Sequence, residues 1–373
     1  MTTLKVGSIE HPTSGSLVTI NGTAPSNRNL IINGAMQVAQ RGAGPVTFVD
    51  NSVEGILAVD LFEQRAQGSW GSVAACSVEQ STDAPDGFAT SYHLNVTSAG
   101  TPTGSMIHYT RHYVEAYNVV NSGWDYTNSN SKLTLSFYVK ADHTATYCVV
   151  VNLPDTSTNS FVKEYTIAAA NTWQRVSFQI PGNSGFTVNN DNGAGFQIRW
   201  MLGLGPNYSA ATDGVWNTTS SLWTTSNQDN FFDTVGNDLW ITGVQLEVGS
   251  VATPFEHRSY GDELARCQRY FFATATGTTY NAVTTGFANS TTNSTQLITY
   301  PVQMRATPSI TDVGSWEIID ATSHSVSAIS SVVSGSNTSS AFNCTSTGLT
   351  VGRGNILRNS NDATATLQVS AEL

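Results

Sequence analysis

Apolar residues along this chain recur mainly at every second position, in short runs divided by Gly, Asn, Ser, Thr and Asp. Tyr92, Leu94 and Val96 alternate with polar neighbours, as do Ile107, Tyr109, Arg111 and Tyr113. Leu133, Leu135, Phe137 and Val139 mark one face of a strand, with Thr134, Ser136, Tyr138 and Lys140 on the other. Val149–Val151, then Val176, Phe178 and Ile180, then Phe196, Ile198, Trp200, Leu202 and Leu204 carry the pattern forward. A period of two is the signature of half-buried strands, and apolar faces at this spacing describe a two-sheet sandwich, with a jelly roll as the expected form. Leu30–Ile32 reads as the opening strand and Trp240–Val248 as the last one. In that last strand Trp240, Thr242, Val244 and Leu246 are expected on one face, with Ile241, Gly243, Gln245 and Glu247 on the other.

The period then changes. Gly249-Ser250 and Pro254 end the strand, and Ser259-Tyr260-Gly261-Asp262 is a capping box with Asp in place of Glu or Gln. Tyr260, Leu264, Cys267 and Phe271 form a helical stripe, with Asp262 and Glu263 in the first turn and Arg266 and Arg269 in the last. This predicts a short connector helix over 258–272, hinging two β domains. Beyond it, strands are expected at Ala282–Phe287, Ser294–Gln303, Ile310–Val313, Ser315–Asp320, Val326–Val333, Gly348–Val351 and Ala363–Ala371. The expected organisation is an N-terminal arm (1–28), a jelly-roll sandwich (29–257), the connector helix (258–272) and a C-terminal β-sandwich domain (273–373). In the arm, Leu4, Val6 and Ile9 face Leu17, Val18 and Ile20 across turn signals. Such a pair cannot bury its own core, so it is read as an attachment arm that packs on a partner or a neighbouring protomer.

Composition agrees with the pattern. Of 373 residues only 12% are charged, while 10% are aromatic, as suits an all-β chain facing water through hydroxyls and amides. The net charge is −11 with no Lys/Arg cluster, which argues against nucleic acid or an anionic membrane surface as partner. No apolar run has transmembrane length, and Met1–Glu10 lacks the apolar stretch of a secretory leader, so synthesis in a cytosol is expected. Cys76, Cys148, Cys267 and Cys344 show no CxxC spacing and read as buried free thiols. Catalytic signatures are missing: neither a Gly-x-Ser-x-Gly elbow nor a phosphate-binding loop occurs, and Asp262 and Glu263 are explained as partners of a helix dipole. His108 and His112 have a metal-binding spacing only on a helix, and here they fall in a strand, as surface positions. The chain is read as a non-enzyme.

Several segments carry a resemblance. The string TGVQLEVG–ATPFE–RS–GDELARCQRYF, together with Asn29–Gly42 (NLIINGAMQVAQRG), Tyr300–Pro308 (YPVQMRATP) and the closing Ser370-Ala371-Glu372-Leu373, resembles bacteriophage tail-fibre and other virion structural proteins with a carbohydrate-binding-module-like jelly roll. Val59-Asp60-Leu61-Phe62 resembles that group's Asp-Arg-Phe/Trp step, with Leu61 where the Arg stands, and Asn171–Val176 resembles the Trp-Gln-Arg-Val strand start of jelly-roll binding modules.

The resemblance implies a virion protein assembled in the host cytoplasm, most readily a homotrimeric tail fibre or spike that adsorbs to a host-surface glycan. Its arm would dock on other virion proteins. The alternative is a head decoration, head fibre or tail adaptor without receptor binding. It also implies a structural Ca²⁺, for which Asp50, Asp60 and Glu247 are the candidate ligands. Aromatics in polar loop contexts (Trp70, Trp124, Tyr126, Trp216 and Trp223) are the candidates for stacking on sugar, whereas Trp173, Trp200 and Trp240 lie in strands and read as structural. The Gly205–Asp238 insertion, spaced with Tyr208, Trp216, Trp223 and Phe231, is expected to be a long functional loop, with a seam between protomers favoured over a sugar platform. Leu264 and Phe271 are expected as structural or interface residues of the connector.

Overall fold

The computed structural model describes residues 27–49, 55–68, 74–156, 159–219, 222–274 and 277–373. Leu4, Val6 and Ile20 of the arm, and with them Asp50 and Trp70, lie outside the described residues. The chain divides into two compact units, Met1–Ser259 and Tyr260–Leu373. The four cysteines are free and buried.

In the first unit the strands are β1 (Val46–Val49), β2 (Gly55–Ile56), β3 (Glu63–Gln67), β4 (Ala75–Ser81), β5 (Ser91–Ser98), β6 (Ile107–Glu115), β7 (Lys132–Ala141), β8 (Ala145–Asn152), β9 (Ser160–Ile167), β10 (Gln174–Pro181), β11 (Ala194–Leu204), β12 (Trp216–Asn217) and β13 (Asp238–Val248). They form a six-stranded sheet, β1-β4-β5-β13-β7-β10, and a seven-stranded sheet, β12-β9-β8-β11-β6-β3-β2. The long strands from β5 onward, counted in chain order, run first-eighth-third-sixth in one sheet and fifth-fourth-seventh-second in the other. That order is a jelly roll of two interlocked Greek keys.

Alternation places the core as expected. Leu133, Leu135, Phe137 and Val139 of β7 and Phe196, Ile198, Trp200 and Leu202 of β11 are fully buried in one cluster. Each such side chain contributes about 1.5–3 kcal/mol on leaving water. The Trp200 ring meets Phe137 edge-on at 5.9 Å and Phe62 at 6.0 Å. The core carries one polar crossing: Gln64 Nε2 of β3 donates to Tyr92 Oη of the opposite sheet at 2.7 Å and to Thr110 Oγ1 at 2.5 Å.

Three local expectations are corrected. The first concerns the histidines. His108 and His112 do sit in strand β6, but they point inward and are 2% and 1% exposed. His108 lies between the rings of Phe48 and Phe232, 5.0 and 4.3 Å away, and His112 lies 4.9 Å from Phe62. The apolar-looking set Ile107, Tyr109, Arg111 and Tyr113 faces the other way, because β6 is a central strand covered on both sides.

The second concerns β13. Its register against β7 jumps between Thr242 and Gln245, so one extra residue bulges out at Gly243, whose φ is 60°. A Cβ there would lie 2.7 Å from the Phe88 ring and 2.8 Å from that of Tyr138. The bulge shifts the alternation, so Leu239, Ile241, Val244 and Leu246 are core, whereas Trp240 stacks on His93 at 4.5 Å.

The third concerns Leu30–Ile32, which is no strand. Past Ile241, β13 has left β5, and the Asn29–Gly34 segment occupies that side through two backbone bonds, Leu30 amide to Leu246 carbonyl and Val244 amide to Gly34 carbonyl, both 2.9 Å, and through side-chain chemistry. Asn29 Nδ2 donates to the Val244 carbonyl at 3.1 Å, while Asn29 Oδ1 accepts from the Leu246 and Ile31 amides, both at 3.0 Å. The Asn29 amide donates to Glu256 at 2.7 Å, and Arg258 donates to the Ile31 carbonyl at 2.9 Å. Segments 215 residues apart are thus clasped together.

The second unit begins with the helix α1 (Tyr260–Gln268), which is shorter than expected. Phe271 does not continue it but opens β14 (Phe271–Ala273), which pairs with β23 (Thr366–Ser370). Glu263 and Cys267 are buried, Leu264 is half-buried and Tyr260 is 57% exposed, so a helix this short buries a stripe shifted from the apolar one. A three-stranded sheet, β14-β23-β17, accompanies a seven-stranded one, β19-β18-β22-β15-β16-β21-β20, the remaining strands being β15 (Ala282–Ser290), β16 (Asn293–Thr299), β17 (Ser309–Val313), β18 (Trp316–Ile319), β19 (Ser323–Ser325), β20 (Ala328–Gly335), β21 (Ser339–Thr345) and β22 (Gly354–Asn359). Gly348–Val351, expected as a strand, is not one, and β21 and β22 were not anticipated. A second clasp closes this unit: Arg305 Nε and Nη2 donate to the Ala371 and Glu372 carbonyls at 2.8 and 2.7 Å.

Two outcomes follow from this packing. Asn29→Ala removes a buried amide that satisfies two sides of β13, and it should destabilise the first unit by roughly 2–4 kcal/mol. Urea unfolding followed by tryptophan fluorescence measures this, and an unchanged midpoint contradicts the clasp. Burial also depresses the pKa of both His108 and His112 to about 3, against an ordinary 6.5. The unfolded chain therefore binds more protons below about pH 6.5, and stability falls as the pH drops toward 3, by up to about 1.4 kcal/mol per pH unit for each ring. The urea midpoint should decline from pH 7 to 4.5, and a His108→Phe, His112→Phe double variant should flatten that decline.

Candidate ligand-binding face

The outer face of the seven-stranded sheet in the first unit carries the densest unsatisfied chemistry. Strand pairing sets its rows. Asn152, Gln197 and Tyr113 stand abreast on β8, β11 and β6, and beside them run Val150, Arg199, Arg111 and Glu63. Met201, Tyr109 and Arg65 follow in the next row. One part of this face is apolar: Ile107, Tyr109, Cys148, Val150, Val162 and Met201 cluster there, covered by Ala211, Leu204, Tyr208, Leu222 and Trp223.

The Gly205–Asp238 insertion is thus not a free loop. It folds onto its own sandwich, with Phe231 and Phe232 buried in the core and β12 pairing on the β9 edge. This intramolecular cover engages Tyr208, Trp223, Phe231 and Phe232 within their own sandwich.

Beside the covered patch the face turns polar. Arg111 donates to both Glu63 carboxylate oxygens, at 2.7 and 2.6 Å, and lies over the Tyr113 ring at 4.8 Å. Burial opposes the Arg111 charge, yet Glu63 more than offsets this and holds the guanidinium above its ordinary pKa. Arg199 packs on both Trp223, 4.3 Å from the ring centroid, and Tyr109, at 5.3 Å, two rings that themselves touch at 6.0 Å. Burial lowers its pKa; the Tyr109 and Tyr113 phenols act in the opposite sense, and the like charges of Arg111 and Arg65 lower it further. Its Nη2 donates to Gln197 Oε1 at 2.5 Å.

Three atoms here have no protein hydrogen-bond partner: Arg199 Nε, Gln197 Nε2 and Asn152 Oδ1. Two are donors and one is an acceptor, all on adjacent strands. All three are shielded from solvent, and leaving a buried polar group unmatched costs about 1–3 kcal/mol, so unmet hydrogen-bonding demand is concentrated here.

The aromatics singled out from sequence occupy other settings. Trp124 is 3% exposed and packs edge-on against Phe196 at 6.0 Å, as a core residue. Tyr126 is half-buried beside it, 6.2 Å away. Trp216 is half-buried against Phe186 at 4.5 Å, and its indole donates to the Pro181 carbonyl at 2.8 Å. Of those among the described residues, Trp223 is the one that meets the polar face. Tyr113, Asn152, Gln197 and Arg199 escaped the sequence reading because they are solitary polar or aromatic positions in strands chosen for their apolar alternates. The signal was present, since alternation aims Gln197 and Arg199 away from the core residues Ile198 and Trp200.

Of the expected calcium ligands, Asp50 lies outside the described residues, and Asp60 and Glu247 are hydrogen-bonded to protein donors. Asp60 accepts from the Gln40 amide at 2.9 Å and from Gln40 Nε2 at 2.5 Å. Glu247 accepts from the Thr253 amide at 2.9 Å, Thr253 Oγ1 at 2.6 Å and Gln245 Nε2 at 2.9 Å. These oxygens are committed to protein donors, and among the described residues no group of three His, Cys, Asp or Glu side chains is placed to hold a metal ion.

No protein-family model matches the sequence, and no curated protein matches it. Solved structures of similar backbone include the enzymatically active domain of bacteriophage CBA120 tailspike protein 4, at 13% identity and a TM-score of 0.32, over 59% of this chain and 21% of that one. They also include a family 11 carbohydrate-binding module from Clostridium thermocellum in complex with a mixed-linked tetrasaccharide, at 10% identity and a TM-score of 0.28, over 56% of this chain and 98% of that one. A third is a putative sugar binding protein from Bacteroides thetaiotaomicron, at 12% identity and a TM-score of 0.31, over 60% of this chain and all of that one (100%). Likeness at this level fixes neither ligand nor assembly.

Proposed function

We propose that this chain is a structural protein of a phage virion that holds a glycan on the outer face of its seven-stranded sheet. The observation that carries the glycan reading is the trio of unpaired atoms, Asn152 Oδ1, Gln197 Nε2 and Arg199 Nε, set beside the half-buried Tyr113 ring. A sugar ring meets that demand: each hydroxyl both donates and accepts, and its C–H face suits an aromatic ring.

The site is read as binding without cleavage. Glu63 is committed to Arg111, and Glu164 accepts from Asn227 at 3.0 Å and also from Thr225, so neither is set up as a free acid or base. The virion role rests on the resemblance of the sequence motifs. Within it the chain acts as a homotrimeric tail fibre or spike, where weak contacts repeated on each copy multiply into avidity.

Calorimetric titration with saccharides retained from a glycan array tests the binding face. Tyr113→Ala and Gln197→Ala should each weaken binding by about tenfold, a loss near 1.4 kcal/mol, with the melting temperature of each variant measured alongside. Undiminished affinity in both variants excludes this face. Antibody labelling of whole virions tests the assembly: label at the tail fits adsorption, and label across the capsid replaces it with a head protein.

A further inference from the structure

We propose that the saccharide bound at this face is acidic, and that Arg199 receives its anionic group, a sugar carboxylate or a sulfate ester. This rests on the glycan reading of the same face and goes one step beyond it, to the charge of the ligand.

The argument starts from charge balance. Arg111 has its counter-ion, since Glu63 grips it with both oxygens. No ion pair joins Arg199 to a carboxylate among the described residues, and the cation Arg111 stands opposite it on β6. Trp223 and Tyr109, whose centroids are 6.0 Å apart, pack together beside its guanidinium and shield part of it from water. One edge nitrogen is engaged by Gln197 Oε1, and Nε has no protein partner. The residue as a whole is half-buried, and Nε itself carries almost no exposed surface.

A neutral hydroxyl would accept one hydrogen bond but leave a desolvated cation uncompensated. A carboxylate or sulfate does both, through charge-assisted bonds about twice as strong as neutral ones. Gln197 Nε2 adds a second donor toward the same oxygens, while Asn152 Oδ1 calls for a donor that a bare inorganic anion lacks and a sugar hydroxyl has. The whole chain carries −11, so its overall field does not gather anions. Recognition of an acidic sugar therefore falls to this local cation.

The test uses the full chain on a glycan array bearing uronate, sialate, sulfated and neutral saccharides. Titration then compares the best-retained saccharide with its carboxyl-reduced or desulfated form. The expected result is retention of acidic saccharides, with affinity falling about tenfold or more once the anionic group is removed. Arg199→Gln should lose a similar factor and Arg199→Lys should keep part of the affinity, with both variants checked for an unchanged melting temperature. The ligand-side comparison needs no variant and stands even where Arg199→Gln fails to fold.

Retention of neutral saccharides that weaken with Tyr113→Ala leaves the glycan face intact and overturns the acidic ligand. Full affinity in Arg199→Gln overturns the role of Arg199. Retention of no saccharide removes the glycan reading itself.

Discussion

Strand β13 leaves β5 at Ile241 and bulges at Gly243, and the backbone beyond the bulge is matched on that side by the 29–34 segment, through the Leu30 amide, the Gly34 carbonyl and the Asn29 side chain. One side chain donates to the Val244 carbonyl and accepts from the Leu246 amide, standing in for a strand that is not there. Glu256 and Arg258 extend the clasp to the Asn29 amide and the Ile31 carbonyl, so the start and end of the sandwich are tied at one place. Arg305 repeats the device in the second unit, gripping the last carbonyls of the chain. The segments that carry the sequence resemblance are largely these clasps. They record architecture, and they lie apart from the residues proposed to bind ligand.

With the sandwich closed in this way, its central strands are covered on both faces. β6 shows the consequence: His108 and His112 fill the inner side, while Tyr109, Arg111 and Tyr113 face outward beside β11. The outward residues lie under an insertion that covers only the apolar half of the face. The polar half keeps a paired Arg111–Glu63 and an Arg199 without a counter-ion. Unmatched polar groups cost stability, and proteins keep such costs where binding recovers them.

Much of the fold was legible from alternation alone. β5, β7, β8 and β11 sit where period-two runs placed them, and their apolar positions form the core. What was hidden has physical causes. A single glycine at a bulge reversed the faces of β13, and no window average registers that. Leu30–Ile32 is apolar enough to mimic a strand, yet only the Leu30 amide bonds β13 directly, and the Asn29 side chain makes the neighbouring bonds. Short Ser/Asn-rich strands such as β21 carry only Ser340, Phe342 and Cys344 inward and look like loops. The candidate site was harder still. Loop aromatics drew the sequence reading, whereas most of the site lies on strands and is defined by register across β8, β11 and β6, which only pairing reveals.

The most direct measurement is an amide-resolved NMR titration of the labelled protein with its best-retained saccharide. The outer-face reading predicts that the shifting signals cluster on Tyr113, Asn152, Gln197 and Arg199 and on the indole of Trp223, with the clasp residues unmoved. Shifts concentrated in the second unit, or around the open loop depression lined by Thr127, Asn128 and Asn183, would place the ligand elsewhere and contradict the account.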